Sequence, residues 1–308
     1  MLKPILLATA LLFASQTAYA AAYEDAFAAY QKGDYQTALK LMKPLAEAGN
    51  VNAQYNVGVM YNENLVKQDF AEAAKWFKLA AAKGNVFAQV DLGVQYEYGK
   101  GVGKDYTEAL RLFRLAADKK NPTAELNIAS MYERGIGVPQ QDYKEAAKWY
   151  RLSGDHGNAD AQYDLALLYV SGRGVPKDEK QAAIWYRKAA DAGNASAQLN
   201  LGAAYYGGQG LAKDVKQALK YFRMAAQQGN AHAQFNLATL YANGEGTPQD
   251  LPRSLIWFNA AAVTLTGDEA KIADQNSKEV ASKMTQEQRL AAQQIGRKCL
   301  AGDYKACD

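Results

Sequence analysis

A Gly-Asn pair recurs at a nearly fixed interval along this 308-residue chain, and few folds are compatible with such regularity. The pairs are Gly49-Asn50, Gly84-Asn85, Gly157-Asn158, Gly193-Asn194 and Gly229-Asn230, with Lys120-Asn121 in the single gap. The steps between them are 35, 36, 37, 36 and 36 residues. A constant period of about 20–50 residues is typical of repeat proteins, in which each repeat buries its apolar surface against its neighbours. We therefore expect a stack of repeats.

Each repeat carries the residue spacing of two helices. In the fourth repeat, small and apolar residues recur at three- and four-residue intervals over 161–169 and again over 182–190, with a glycine-rich connection between them. Such spacing is typical of α-helices, and the alternation expected of strands is absent. The sequence predicts an all-α fold of six helix-turn-helix repeats at 49–83, 84–119, 120–156, 157–192, 193–228 and 229–267.

Two sets of polar residues recur with the repeat and resemble a row of catalytic acids or metal ligands. The Asp ladder precedes each second helix and consists of Asp69, Asp105, Asp142, Asp178, Asp214 and Asp250. Five of its members have Glu or Gln three residues later, which is the spacing of a capping box. The Asn ladder precedes each first helix and consists of Asn50, Asn85, Asn121, Asn158, Asn194 and Asn230. Because these side chains accept hydrogen bonds from the first N–H groups of a helix, both ladders predict N-caps.

One repeat position holds all four tryptophans of the chain. The residues at this position are Trp76, Leu112, Trp149, Trp185, Tyr221 and Trp257. A bulky ring there can fill the space between helices, while the surrounding small residues allow close backbone approach. The position is therefore expected to belong to the core rather than to a stacking site for a cofactor or carbohydrate.

The connections between the two helices contain Gly-x-Gly, as in Gly99-Lys-Gly101 and Gly135-Ile-Gly137. A phosphate-binding loop requires a preceding strand and a longer fixed pattern, and neither is present. The same connection recurs five times, which favours a structural turn over a single nucleotide site.

The first twenty residues have the pattern of a secretory signal peptide. Lys3 is followed by an apolar run over 5–14 and by Ala18-Tyr19-Ala20, which is typical of a cleavage site. An uncleaved anchor is the alternative. The formal net charge of the chain is +3, and removal of Lys3 leaves +2. A charge this small does not indicate binding to nucleic acid or to an anionic membrane. We expect an exported protein, periplasmic or secreted, with no membrane insertion after cleavage.

The two cysteines, Cys299 and Cys307, lie within the last ten residues. In an oxidising compartment they are expected to form a disulfide that holds the C-terminal tail. A redox pair and half of a metal site are alternatives, but the spacing is not Cys-x-x-Cys and no histidine lies near in sequence.

The repeat pattern resembles that of the Sel-one-like repeat, a relative of the tetratricopeptide repeat with a longer turn. The residues that carry the resemblance are, in one repeat, the run over 193–205, then Gly208-Gln-Gly210, Asp214, Ala218 and Ala225-Ala226. The resemblance implies a right-handed α-solenoid superhelix. The segment 21–48 is more similar to an ordinary tetratricopeptide unit, and we expect it to cap the N-terminal end. Residues 268–308 are expected to form C-terminal capping helices and the disulfide-bonded tail, with Thr285 and Gln288 as a capping box.

The resemblance also implies a partner-binding groove lined by the first helices. The groove ladder, at the position where related repeats bind a peptide backbone, consists of Asn56, Asp91, Asn127, Asp164, Asn200 and Asn236. By helical spacing the same face is expected to continue four residues later at Gln95, Met131, Leu168 and Leu240, and seven residues later at Tyr98, Arg134, Ser171 and Asn243. The alternative is that the groove ladder bonds neighbouring helices and only holds the stack together.

The resemblance implies that the chain is an adaptor that binds a protein or peptide partner. It implies no metal or other cofactor. A secreted, host-directed factor is the first alternative. A cell-wall or β-lactam-related enzyme is the second, because some cysteine-rich relatives are associated with such activity. No repeat of this chain contains a cysteine, and its two histidines, His156 and His232, lie in different repeats. No set of Ser, His and acid stands out by spacing.

Overall fold

A computed structural model describes residues 20–300 and 303–307 of the chain. Over these residues the protein consists of α-helices joined by turns, with no strand, which confirms the predicted fold class. The helices are α1 (described over 20–31), α2 (Tyr35–Glu47), α3 (Val51–Asn62), α4 (Phe70–Ala82), α5 (Val86–Tyr98), α6 (Tyr106–Ala117), α7 (Pro122–Arg134), α8 (Tyr143–Asp155), α9 (Ala159–Ser171), α10 (Glu179–Asp191), α11 (Ala195–Gly207), α12 (Val215–Ala226), α13 (Ala231–Asn243), α14 (Leu251–Thr264), α15 (Gly267–Ser282) and α16 (Gln286–Leu300), followed by a 3-10 turn at Tyr304–Cys307.

The described residues form two compact units, one ending at Gln141 and the other beginning at Asp142. In the N-terminal unit each helix from α2 to α7 packs against the next one along the chain. In the C-terminal unit the same holds from α8 to α15. Consecutive packing of this kind is the pattern of a helical solenoid.

The Asn and Asp ladders cap the helices as predicted. Asn50 Oδ1 accepts a hydrogen bond from the Ala53 N–H at 2.9 Å, and the same bond recurs at the other five members of the Asn ladder. All six members of the Asp ladder accept from a backbone N–H in the first turn of their second helix. The side chains of both ladders therefore serve as N-caps for the helices of the repeats.

The capping box predicted for the Asp ladder is only half formed. The Asp69 N–H donates to the Tyr61 carbonyl oxygen at 3.2 Å, so it does not need the Glu72 side chain. Glu72 accepts instead from Lys75 Nζ at 2.6 Å and from Trp76 Nε1 at 3.1 Å. The Asp69 N–H is therefore paired with a carbonyl oxygen in the last turn of α3, which the spacing of the sequence does not reveal.

The Gly-x-Gly connections are turns that bring one repeat against the preceding one. Gly99 and Gly101 have φ values of +72° and +70°, the left-handed region that favours glycine. A Cβ on Gly101 would lie 2.0 Å from the carbonyl oxygen of Phe70, the first residue of α4 in the preceding repeat. In the first repeat, Asn64 occupies the left-handed region with φ of +57°. The structure confirms the prediction of a turn and adds a close backbone contact.

The tryptophan position lies in the core. Trp76, Trp185 and Trp257 are buried, as are Leu112 and Tyr221, and Trp149 is half-buried. Small residues on the first helices make room for the aromatic residue that follows this position. A Cβ on Gly58, Gly93 or Gly202 would stand 2.6, 2.6 or 2.7 Å from a ring carbon of Phe77, Phe113 or Phe222, respectively.

The C-terminal end is helical as predicted. Helices α15 and α16 both pack on α14, and Thr285 and Gln288 form a reciprocal capping box with bonds of 2.9 and 3.2 Å. The predicted disulfide joins Cys299 and Cys307, both buried, with their Cα atoms 5.2 Å apart. It closes the 3-10 turn against α16 and α14.

The predicted signal peptide, 1–20, lies outside the described residues except for its last position. Within 20–300 and 303–307, no helix has the length and apolar character needed to span a bilayer. The capping role expected of 21–48, the handedness of the superhelix and the cleavage near Ala21 stay predictions.

Candidate partner-binding surface

The groove ladder lies half-buried on the first helices α3, α5, α7, α9, α11 and α13. Three of its members bond a tyrosine hydroxyl from an earlier helix. Asn56 Nδ2 donates to Tyr23 of α1 at 2.9 Å, and Asn200 Nδ2 donates to Tyr186 of α10 at 3.2 Å. Asp91 accepts from Tyr55 of α3. For these members the structure matches the alternative interpretation, in which the side chain helps to hold the stack.

Asp91 has an unusual electrostatic environment for a solenoid surface. Burial between α3 and α5 raises the pKa of its carboxyl group to about 6, and the nearby Glu63 acts in the same direction. The hydrogen bond from the Tyr55 hydroxyl opposes this rise, because it stabilises the carboxylate. Burial and the Asp91 charge in turn raise the pKa of Tyr55.

Only two of the other three members of the groove ladder differ from these. Asp164 also interacts with other groups of the chain. Asn127 and Asn236 make no side-chain hydrogen bond within the part of the chain that the structure describes. Their amides are therefore available to a partner, since each carries an NH₂ donor group and an acceptor oxygen.

The prediction that the groove continues at the fourth following residue is wrong. Gln95, Met131, Leu168 and Leu240 are all buried, so their side chains cannot contact a partner on this surface. With 3.6 residues per turn, the fourth residue is rotated by about +40° around the helix and the third by about −60°. The fourth residue thus points into the repeat stack, and the third remains on the open side.

The open side is formed by the groove ladder and by the residues three and seven positions after each of its members; we call this surface the first-helix face. The positions at plus three include Val94, Ser130, Leu167, Ala203 and Thr239, which are half-buried or exposed and were not predicted from the sequence. At plus seven, Tyr98, Arg134, Ser171 and Asn243 are exposed as expected, with Tyr98 54% accessible.

Arg134 is not a free cation on this face. Its Nη1 donates to Glu97 Oε1 of the preceding first helix at 2.6 Å. The Glu97 side chain is almost fully buried, whereas the guanidinium remains partly exposed. Arg134 therefore neutralises a buried carboxylate, a structural role that sequence reasoning did not predict.

A cavity opens on the first-helix face of the C-terminal unit, between α11, α13 and the start of α15. Its volume is about 450 Å³, and Leu199, Ala203, Phe235, Leu265 and Ile272 form its apolar walls. Asn200, Asn236, His232 and Glu269 supply its polar groups. We call this cavity the α11–α15 cleft. Two further depressions adjoin it, one sharing Asn200 and Ala203 and the other sharing Ala203 and Asn236.

Charge is divided between the two helices of the repeats. The six first helices carry six carboxylates and a single Lys or Arg, which is Arg134; these helices are α3, α5, α7, α9, α11 and α13. The six second helices carry fourteen Lys and Arg residues and six carboxylates; these helices are α4, α6, α8, α10, α12 and α14. In the C-terminal unit the contrast is complete, because α9, α11 and α13 contain no Lys or Arg.

A further ladder that sequence reasoning missed joins second helices to the next first helix. Arg114, Arg151, Arg187 and Arg223 each donate to the hydroxyl of the tyrosine eighteen residues later, Tyr132, Tyr169, Tyr205 and Tyr241. The constant spacing of eighteen was present in the sequence and could have revealed it. These bonds hold a second helix to the first helix that follows it.

Seven consecutive segments of the chain match the family model of the Sel1 repeat. The segments are 14–50, 51–85, 86–121, 122–158, 159–194, 195–230 and 231–262. The chain is a member of the Sel1 repeat family. The first matched segment takes in α1 and α2, for which a tetratricopeptide-like capping role was predicted, so the Sel1 repeat pattern begins one unit earlier than the six repeats predicted.

Two solved Sel1-type structures resemble this Sel1 repeat protein over most of its length. A Sel1 repeat protein from Oxalobacter formigenes shares 33% identity with a TM-score of 0.68, covering 83% of this chain and 99% of its own. The second is c5321, a protective antigen present in uropathogenic Escherichia coli strains, with 30% identity, a TM-score of 0.51, and coverage of 89% of this chain and 66% of its own. No curated protein matches significantly. Sel1 repeat proteins are generally protein-interaction scaffolds.

The two histidines are both exposed in this Sel1 repeat protein. His232 Nε2 lies 3.4 Å from Glu269 Oε2 at the edge of the α11–α15 cleft. Among residues 20–300 and 303–307, no group of three or more His, Cys, Asp or Glu side chains is arranged to hold a metal ion.

Proposed function

We propose that this protein is an exported scaffold that binds a protein partner through its first-helix face. The observation that carries the proposal is the contrast between the two sides of the repeats. The Asn and Asp side chains at the helix ends accept hydrogen bonds from backbone N–H groups, and the Arg and Tyr side chains bond one another within the stack. The first-helix face instead holds open apolar surface, together with the amides of Asn127 and Asn236, which make no hydrogen bond within the described part of the chain.

Support for a binding role also comes from the way in which this face varies. At the plus-three and plus-seven positions, side chains change from repeat to repeat in size, charge and polarity, from Ala203 to Leu167 and from Asn243 to Tyr98. The capping and core positions are nearly constant. A surface whose side chains differ from repeat to repeat in this way is suited to recognise one particular partner.

Export is the part of the proposal that rests on residues 1–20. Lys3, the apolar run and Ala18-Tyr19-Ala20 support cleavage near Ala21 and a periplasmic or secreted protein. The buried disulfide is compatible with an oxidising compartment. N-terminal sequencing of the protein from its native cell should begin near Ala21, and a sequence beginning at Met1 or Leu2 on cytoplasmic protein would contradict export.

Affinity capture from envelope extract tests the binding role. The bait is the chain from Ala21 onward, compared with Tyr98→Ala/Asn127→Ala in the N-terminal unit and Asn236→Ala/Asn243→Ala in the C-terminal unit. We expect at least one of these variants to lose the captured protein, with an unchanged thermal midpoint, because surface substitutions usually shift stability by about 0.5 kcal/mol or less.

The matched control places glutamate on second helices at Leu115 and Ile184, which are both exposed. Capture should survive these two substitutions. A partner that is lost with Leu115→Glu or Ile184→Glu, and retained by both first-helix variants, would assign binding to the opposite helices and defeat the proposal.

A further inference from the structure

We propose that the α11–α15 cleft binds an extended segment of the partner in which a large apolar side chain lies next to a lysine or arginine. This inference rests on the proposed function and names the part of the partner that is recognised. It is carried by three properties of the cleft, namely its shape, its open amide groups and its charge.

The shape of the cleft follows from small residues on α11. At the plus-three position, Ala203 stands where neighbouring repeats have Leu167 and Thr239. At plus seven, α11 ends with Gly207, whereas the other repeats carry longer side chains there. The shortened side chains leave a depression over α11 that continues into the two adjoining cavities.

The walls of the cleft are apolar on every element that forms it. Leu199 comes from α11, Phe235 from α13, and Leu265 and Ile272 from the segment leading into and along α15. Ile272 is 49% exposed, so a large apolar side chain stands open to solvent at the rim. A volume of about 450 Å³ accommodates one large apolar side chain together with the backbone on either side of it.

The amide of Asn236 gives the cleft a group that can bind a peptide backbone. It lines the cleft and makes no hydrogen bond within 20–300 and 303–307. Asn200, which lines the cleft from α11, donates one hydrogen bond to Tyr186 and keeps its carbonyl oxygen as an acceptor. The two amides therefore offer both donors and acceptors to an extended segment.

The charge around the cleft selects a basic neighbour for the apolar side chain. Glu269 lines the cleft with its side chain more than half exposed, and its Oε2 lies 3.4 Å from His232 Nε2 at the edge of the cleft. Among the described residues that line the cleft, Glu269 supplies the one carboxylate and there is no Lys or Arg. An acidic segment would face repulsion here, whereas a lysine or arginine can pair with Glu269.

Selection from a library of random twelve-residue peptides on the immobilised chain tests the inference. We expect the enriched peptides to share an aromatic or large aliphatic residue adjacent to Lys or Arg. Ala203→Glu, which fills the depression, should weaken their binding at least tenfold by fluorescence anisotropy. Glu269→Lys should reverse the preference of a matched pair of synthetic peptides, Lys-Phe-Lys and Glu-Phe-Glu within the same neutral flanks.

The matched control is Ala71→Glu, at an exposed alanine on the second helix α4. It should bind the enriched peptides as the unchanged chain does, and all three variants should keep the thermal midpoint. Enrichment of acidic peptides, no enrichment at all, or equal binding by Ala203→Glu would overturn the inference. A dimer in sedimentation that Ala203→Glu dissolves would assign the cleft to a second copy instead. Each of these results leaves the envelope capture free to succeed or fail on its own.

Discussion

The second glycine of each Gly-x-Gly connection is predicted to be the least replaceable residue of its repeat, and Gly101 is the sharpest case. A Cβ at this position would stand 2.0 Å from the Phe70 carbonyl oxygen, far inside ordinary van der Waals contact. The obstruction is backbone of the preceding repeat, so no side-chain rotation can relieve it. Gly101→Ala should therefore separate the two repeats locally.

The expected magnitude has two parts. An alanine at φ of +70° costs about 1–2 kcal/mol because its Cβ crowds the following carbonyl group. Overpacking against the Phe70 backbone adds about 1–3 kcal/mol. Added together, these two costs should lower the free energy of unfolding by about 2–5 kcal/mol.

Gly84→Ala provides the control. Gly84 has φ of +83° and no atom within 4 Å of the place that a Cβ would take, so its substitution carries only the conformational part of the cost. Urea unfolding followed by far-ultraviolet circular dichroism measures both variants. Because repeat arrays can depart from two-state unfolding, midpoints are compared, together with hydrogen exchange in the first turn of α4. Equal losses in the two variants would refute the packing role of Gly101.

Three other contacts give predictions of the same kind. Arg134→Ala should lower the free energy of unfolding by about 1–3 kcal/mol, because it leaves the buried Glu97 carboxylate unpaired. Arg111→Ala breaks a more exposed pair with Glu108 and should change the free energy of unfolding by less than about 1 kcal/mol. Thermal unfolding compares the two variants, and equal effects would contradict the role of Arg134 in neutralising Glu97. Asp91 has a folded pKa of about 6, above its ordinary value of 3.8, so its contribution to stability should be complete below about pH 4 and be lost as the pH rises through about 6. Asp91→Asn should remove that slope from urea midpoints measured between about pH 4 and 7, and an unchanged slope would refute the assignment. Thiol titration of the unfolded, unreduced chain should find no free thiol, and reduction should destabilise the C-terminal end by about 2–3 kcal/mol, whereas two free thiols would contradict the disulfide.

The repeat architecture was predictable from the sequence because its signals are local. N-caps, left-handed glycines and the tryptophan position each depend on a few neighbouring residues, so Asn50, Asp69 and Gly99 reveal their roles by spacing alone. The same is true of the capping box at Thr285 and Gln288.

The surface was harder to predict because it depends on how helices of different repeats pack. The residues three and four positions after a groove-ladder residue such as Asn127 both lie close to it on the helix. Only the packing of the repeats decides that Met131 is buried while Ser130 is not. The pairing of Arg134 with Glu97 joins residues 37 positions apart, which no local rule identifies. The α11–α15 cleft depends in addition on where α15 crosses the end of the stack.

Side-chain footprinting of the chain, free and with its captured partner, distinguishes a partner bound on the first-helix face at the α11–α15 cleft from one bound on the second helices. Ile272 at the cleft and Ile184 on the second helix α10 form a matched pair, since they are the same residue type and are 49% and 48% exposed. Hydroxyl-radical labelling should modify both equally in the free protein. We predict that the partner protects Ile272 and leaves Ile184 unchanged; protection of Ile184 with full labelling of Ile272 would contradict binding at this face.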